Sequence, residues 1–206
     1  MFAVREGRVV FQRLVTYTFN MLVKKVEIVL FLAAGLILTG GPVMTPALMV
    51  LMLATNDFLA MSLTTDRASV APSPGVWRMR SITGAGAVLG ICKLAFSTAV
   101  LAFAKFRLGL GPRELQTLAL VILVFGSQAL LYVVRERRHL WSSKPGIWVV
   151  GASMLDIGAV SALALSGTLM AALTWQVLAM VFIAAAGFAL ALDQVKRPVL
   201  AAFRLG

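Results

Sequence analysis

Residues 115–134 read LQTLALVILVFGSQALLYVV, a run of twenty residues without a charged side chain. A helix of this length crosses about 30 Å of hydrocarbon, so the run predicts a transmembrane helix. The whole chain agrees with this prediction, since 60% of its 206 residues are hydrophobic and only 13% are charged. A soluble domain of this size cannot bury so much apolar surface in one core. The sequence therefore predicts an integral membrane protein.

Similar apolar runs recur along the chain and predict an all-α bundle of about six transmembrane helices. They lack the alternation of membrane barrel strands, and only helices or closed barrels satisfy the backbone in lipid. The predicted spans, in one transmembrane domain covering 1–206, are 15–38, 43–64, 82–104, 115–134, 147–166 and 173–193. Thr39–Pro42 predicts a tight turn, and Pro72-Ser-Pro74-Gly75 interrupts any helix in the linker 66–80. The other predicted loops are 105–113, 135–144 and 167–172.

The positions of the basic residues predict the orientation of the bundle. Thirteen Lys and Arg residues fall in segments on the side of the N-terminus, and three fall in loops on the opposite side. The positive-inside rule therefore predicts that both ends are cytoplasmic. The net charge of +11 lies in short clusters between apolar runs and not in a basic stripe with aromatics, which argues against nucleic-acid binding.

Four smaller features of the sequence also bear on its interpretation. The single cysteine, Cys92, lies in an apolar run and supports neither a disulfide nor a metal cluster, and the single histidine, His139, lies in a basic loop. The first apolar run is too long for a signal sequence and has no small-residue cleavage site, so no cleavable signal peptide is expected. Gly86 and Gly90 form a small-xxx-small pair that predicts a close helix contact.

Charged residues inside the predicted spans mark the candidate functional groups. A charge at the centre of a spanning helix costs about 2.5–3.5 kcal/mol, so such residues usually face a polar interior. They are Lys24, Lys25 and Glu27 in the first span, Asp57 in the second, Lys93 in the third and Asp156 in the fifth.

These charges allow several arrangements. Asn20, Lys24 and Glu27 share one helical face, so Lys24 and Glu27 can pair, either as a functional or as a purely structural pair. Lys25 either faces a neighbouring helix or snorkels to the cytoplasmic interface. Lys93 and Asp156 either pair with each other or line a water pocket.

Asp57 is the strongest candidate for an ion-binding residue. It follows Asn56 just past the midpoint of the second span, and Pro46 loosens the backbone about three turns earlier. Loosened helices with a carboxylate at membrane depth are typical of ion sites. Desolvation favours the protonated carboxyl and a nearby cation favours the charged one, a balance that suits proton uptake and release.

Several motifs in residues 5–90 resemble the plasma-membrane proton-efflux P-type ATPases. Glu6-Gly-Arg-Val-Val-Phe-Gln-Arg13 with Tyr17-Thr18 resembles the entry to that family's fifth membrane helix. Asn56-Asp57, Asp66-Arg67, Pro72-Ser-Pro74 and Trp77 resemble its sixth helix and the following loop, and the segment from Gly86 to Gly90 resembles the start of its seventh. The chain is thereby identified as similar to the C-terminal membrane half of such a pump, the fifth to tenth helices.

The resemblance implies a multi-pass protein of the plasma membrane in which Asp57 binds the transported proton and Asn56 hydrogen-bonds it. The supporting charges are Lys24, Lys25 and Glu27. The family tends to place a basic residue in the fifth helix where this chain has Glu27, so the lysines would supply the counter-charge to Asp57.

The sequence lacks the motifs of ATP hydrolysis. It has no Asp-Lys-Thr-Gly phosphorylation motif, no Thr-Gly-Glu motif and no Gly-rich phosphate loop, so it predicts no catalytic residues and no cofactor in this chain. The resemblance implies that ATP and Mg bind a missing N-terminal half, so the chain is either a truncated product or a half that assembles with a separately encoded catalytic half. The alternatives are a non-catalytic accessory membrane subunit or inactive remnant of such a pump, and a passive proton pathway at Asp57.

Overall fold

The computed structural model describes residues 2–64, 79–135 and 145–203 of the chain. Its helices are α1 Phe2–Thr39, α2 Pro46–Thr64, α3 Met79–Arg107, α4 Pro112–Arg135, α5 Ile147–Ser166 and α6 Trp175–Ala202. All regular structure in the described residues is helical, so the predicted all-α class is confirmed. The proline-containing interruption at 72–75 and His139 lie outside the described residues.

Local capping interactions fix where α2 and α4 begin. The hydroxyl Oγ1 of Thr45 accepts a hydrogen bond from the Leu48 N–H at 3.3 Å. Pro46 occupies the first helical position, where a backbone N–H would have no acceptor within the helix, so the absence of an N–H in proline costs nothing there. At α4 the Glu114 carboxylate accepts a hydrogen bond from the Gly111 N–H at 2.7 Å, which is one half of a capping box. Both starts are therefore encoded by a few neighbouring residues.

The turns between helices agree in part with the sequence predictions. Gly40 has φ 75°, which confirms the predicted tight turn after α1, and Gly167 ends α5 with φ 71°. Lys105 was expected in a loop, yet α3 continues to Arg107. The Lys105 ammonium donates to the Leu38 carbonyl at 2.6 Å, and this bond satisfies a carbonyl at the C-terminal end of α1.

Helix α4 is the centre of the bundle and contacts the other five helices. Of its membrane-length window, 94% is buried, because its sequence is apolar on every side and has no face suited to water. Leu118, Leu120, Ile122 and Leu130 on this helix are completely buried or nearly so. Polar side chains of α4 therefore meet groups from its neighbours and not the lipid.

Helices α1 and α3 pack closely through two glycines. A Cβ atom at Gly90 would lie 3.1 Å from Val26 and 3.3 Å from the Val23 carbonyl oxygen, and one at Gly86 would lie 3.5 Å from Leu22. The predicted small-xxx-small contact is confirmed as packing within the chain.

The outer surface of the bundle is suited to lipid. Among the described residues, four helices are long and apolar enough to cross a membrane, over Ser81–Arg107, Pro112–Arg135, Ile147–Ser166 and Trp175–Val199. Large apolar side chains point outward, including Ile37 (85% exposed) and Ile147 (82% exposed). The protein is therefore a multi-pass helical membrane bundle. α1 carries three charges near its middle, and the apolar part of α2 is shorter, so the spans at 15–38 and 43–64 stay predictions. The cytoplasmic placement of both ends also stays a prediction.

Candidate ion-binding site

A set of buried polar side chains joins the helices at the middle of the bundle, and we call it the polar cluster. Its members are Asn20, Lys24, Glu27, Lys93, Ser97, Ser127, Gln128, Ser153 and Asp156, all buried, together with the half-buried Asn56. They come from α1, α2, α3, α4 and α5. Polar groups inside a bilayer are stable only when they find one another, so the cluster marks the part of the bundle that differs from a purely apolar core.

A buried ion pair joins α1 to α3. Glu27 and Lys93 are both 0% exposed and form a direct salt bridge. Ser97 donates to Oε1 of Glu27 at 2.7 Å, and the Lys93 ammonium donates to Ser127 Oγ at 3.1 Å. Gly126 leaves room for the lysine, since a Cβ atom there would lie 3.1 Å from its Cε. Each charge therefore has an opposite charge and one hydroxyl partner.

This ion pair corrects two expectations from the sequence. The direct Lys24–Glu27 pair and the Lys93–Asp156 pair do not form. The glycine contact between α1 and α3 brings Lys93 against the face of α1 that carries Glu27, so the interhelical pair replaces both.

Lys24 reaches α2 instead. Its side chain is 3% exposed, and its ammonium donates to Oδ1 of Asn56 at 3.1 Å. Lys24 also interacts electrostatically with Asp57. Lys25 is exposed on α1. The structure thus brings together Lys24 and Asn56 of the predicted site and leaves Lys25 apart.

Asp57 lies on the outer surface of α2. It is exposed, and the exposed apolar residues Leu53, Phe58 and Met61 share this surface. These positions follow the spacing of one helical face. The carboxylate is therefore one residue from the Lys24–Asn56 hydrogen bond but points away from the described bundle.

Asp156 has an uncharged environment. Gln128 donates from Nε2 to Oδ2 of Asp156 at 2.5 Å, and the Gln128 carbonyl oxygen accepts a hydrogen bond from the Ser153 hydroxyl. Lys24 interacts with Asp156 electrostatically but does not contact it in an ion pair. The three side chains connect α4 to α5.

Four uncharged members of the polar cluster, Ser97, Ser127, Gln128 and Ser153, were not predicted from the sequence. Ser97 follows Lys93 by four residues and Ser153 precedes Asp156 by three, so each shares a helical face with a charge that was identified. Ser127 and Gln128 are the polar residues near the middle of the apolar run 115–134, and this position was a usable signal. Asn20, which was identified, is buried, and its side-chain amide has no hydrogen-bond partner in the described part of the chain.

A second buried ion pair lies outside the polar cluster, near the end of α6. Lys196 lies beyond the predicted span 173–193 and is one of the thirteen cations that the sequence places on the cytoplasmic side, but α6 continues to Ala202 and the side chain is 1% exposed. Its ammonium donates to Asp193 Oδ1 at 2.7 Å and to the Val133 carbonyl at 2.9 Å. Through the Val133 carbonyl, this pair holds α6 against α4 at a point beyond the predicted span.

The fold and the polar cluster define a multi-pass helical membrane protein with charged groups buried between its helices, an arrangement typical of ion-translocating proteins. Over 199 residues, 94% of its length, the chain is 27% identical to a Methanocaldococcus jannaschii protein named "Putative cation-transporting ATPase". The chain spans 24% of the length of that relative. No protein-family model matches the chain. The likeness supports a membrane part of a cation-transporting ATPase.

Proposed function

We propose that this chain is the membrane-embedded C-terminal part of a P-type ATPase that exports protons across the plasma membrane. It contributes ion-binding groups and not the ATP-hydrolysing domains. The observation that carries the proposal is the likeness of nearly the whole chain to about a quarter of a cation-transporting ATPase. The charges buried at mid-bundle support it, because such charges are expensive in a membrane and usually serve transport.

Asp57 binds the transported proton in this proposal. Its neighbour Asn56 is held by the Lys24 ammonium, so Asp57 lies one residue from this hydrogen bond. Glu27 contributes indirectly, since its ion pair with Lys93 fixes α1 against α3 and so positions Lys24. Lys25 adds positive charge on the exposed side of α1.

The exposure of Asp57 supports a partner that completes the site. A carboxylate that faces lipid at membrane depth costs about 2.5–3.5 kcal/mol, and a neighbouring protein segment removes this cost by covering it. The surface around Asp57 is apolar at Leu53, Phe58 and Met61, which suits contact with another membrane helix. We propose that this helix belongs to a separately encoded catalytic half, which also binds ATP and Mg.

Proton transport in inverted membrane vesicles tests the proposal. The chain is expressed alone and together with the part of the Methanocaldococcus relative that it does not match. ATP-driven acidification of the vesicle lumen is expected only in the paired sample and is lost with Asp57→Asn. Glu114→Gln, the same change of carboxylate to amide at the start of α4, is the matched control and should preserve transport.

Two results would contradict parts of the proposal. Transport that survives Asp57→Asn in the paired sample would remove Asp57 as the proton-binding residue. If the chain inserts stably beside its partner and no acidification occurs, the accessory subunit or inactive remnant becomes the better interpretation.

A further inference from the structure

Asp156 differs from the other buried carboxyl groups of the described helices. Glu27 pairs with Lys93, and Asp193 pairs with Lys196. Asp156 is 3% exposed and lies at the middle of α5, and it forms no ion pair with any described residue. A buried carboxylate without a contacting cation is unstable in an apolar interior, so its chemistry needs a separate explanation.

The hydrogen bonds around Asp156 leave one of its oxygens available. The Ser153 hydroxyl donates to the Gln128 carbonyl oxygen, and this bond directs the Gln128 NH2 group toward Oδ2 of Asp156. Oδ1 accepts no hydrogen bond from the described residues. Gln128 thus donates a hydrogen bond to Oδ2 of Asp156, and Oδ1 is free to carry a proton.

The surroundings of Asp156 hold few charges. Of the helices that pack on α5, α2 carries Asp57, which is exposed, and α4 presents Gln128 with the half-buried Tyr132 one turn further. From α1, the Lys24 charge acts on Asp156 at longer range while its ammonium donates to Asn56. None of these groups neutralises the carboxylate by contact.

Two surface grooves border residues close to Asp156 in the sequence and structure. Gln128 and Ser153 line one groove of about 250 Å³ that also borders α6. Ala152 and Leu155 line another of about 520 Å³ between α5 and α2. Apart from Tyr132, the other lining residues of the first groove are apolar, so Gln128 and Ser153 are its main polar groups, and both are bonded in series to Asp156.

We propose that Asp156 is a second proton-binding group of this protein, separate from Asp57, and that Gln128 and Ser153 position it. The carboxylate takes up one proton at Oδ1 to become a neutral carboxylic acid while Oδ2 keeps its bond from Gln128; no other reactant takes part. A proton suits the site better than a metal ion, because in the described residues no three His, Cys, Asp or Glu side chains lie close enough together to hold a metal ion. The proposal does not depend on ATP-driven transport.

Infrared spectroscopy of the reconstituted chain tests this proposal. A protonated carboxyl group gives a carbonyl-stretch band that carboxylates lack, and the band disappears when the proton is removed on raising the pH. Asp156→Asn should remove one such band from the wild-type pH-difference spectrum. Asp193→Asn, a change at a buried carboxyl already paired with Lys196, is the matched control and should retain it.

The position of the band tests the role of Gln128. Gln128→Leu removes the hydrogen bond to Oδ2, so the Asp156 band should shift and its pH midpoint should move, a change that a merely structural role would not produce. If a folded Asp156→Asn variant keeps the full wild-type spectrum, Asp156 does not hold a proton and the proposal fails.

A second measurement uses the unmodified protein and does not rely on a variant that folds. An apolar carbodiimide reacts with protonated carboxyl groups in membranes, forming an acylurea that mass spectrometry locates after digestion. We expect modification at Asp156 that declines as the pH is raised, with none at Asp193. Equal modification of both residues, or none at Asp156, would overturn the proposal. Neither result bears on ATP-driven acidification in the vesicle experiment. A failure of the Asp156 proposal can therefore be distinguished from a failure of the proposed pump function.

Discussion

Replacing Lys93 by methionine tests how the polar cluster stabilises the bundle. The change keeps most of the apolar stem, so packing is nearly conserved, but it leaves Glu27 buried without its cation. Breaking a buried ion pair in this way costs about 3–5 kcal/mol. Glu27 keeps its hydrogen bond from Ser97 at 2.7 Å, which places the expected loss near the lower end, about 3 kcal/mol. The ratio of folded to unfolded protein should fall by about two orders of magnitude.

The free energy of unfolding can be measured by titrating the protein in mixed micelles with a denaturing detergent. Cys92, the only cysteine of the chain, is half-buried on α3 beside Lys93, so its reaction with a thiol dye reports opening of this helix. Lys25→Met is the matched control, because this lysine is exposed on α1 and its replacement should change stability by less than about 0.5 kcal/mol.

A double variant separates the ion pair from general effects of substitution. Glu27→Gln combined with Lys93→Met leaves no buried charge, so it should be clearly more stable than the Lys93→Met single variant. If the losses of the two single variants simply add in the double variant, the two residues do not act as a pair and our interpretation of the α1–α3 contact is wrong.

Three further predictions concern packing and exposure. Gly90→Ala should lower the free energy of unfolding by about 1–3 kcal/mol, because the added Cβ would press on α1. Gly151→Ala, where an added Cβ meets nothing within 4 Å, should not destabilise the protein. Equal effects of the two changes in the same detergent titration would argue against the close contact of α1 and α3. Phe96 and Phe188 stack at 4.4 Å between α3 and α6, so a double-mutant cycle to alanine should give a coupling of about 0.5–1.5 kcal/mol, and strictly additive losses would speak against it. Asp57→Asn should not lower the free energy of unfolding, since the residue is exposed and a carboxylate in apolar surroundings is unfavourable; a large loss would mean that it is buried among partners.

Much of the fold could be predicted from the sequence, because hydrophobic length and helix breakers are local signals. The run 115–134 became α4 at Pro112–Arg135, and the turn at Gly40 followed from Thr39–Pro42. Helix ends with a buried charge were harder. Lys196 lies beyond the predicted span 173–193, and although Asp193 is three residues before it on α6, only the packing of α6 on α4 brings it to the Val133 carbonyl.

The candidate site could be predicted by residue type but not by partner. Lys24, Glu27, Lys93 and Asp156 were identified because each is a charge in an apolar run. Which of them pair depends on the rotation of each helix about its axis and on close approach at glycines, and both are tertiary properties that one sequence does not state. The exposure of Asp57 also depends on the rotation of its helix. The sequence shows that Asp57 follows Asn56, but it does not show toward which side of the bundle the carboxylate points.

The carboxyl groups of Glu27, Asp193, Asp156 and Asp57 differ in their surroundings, and this difference suggests different roles in the bundle. Glu27 and Asp193 are buried and each is neutralised by a lysine, so they can hold helices together but cannot exchange a proton without breaking an ion pair. Asp156 is buried with uncharged partners, and Asp57 is exposed beside Lys24 and Asn56. Neither Asp156 nor Asp57 forms an ion pair with a described residue, and the two residues lie on α5 and α2, which pack on one another. Movement between these helices would therefore alter the surroundings of both groups together.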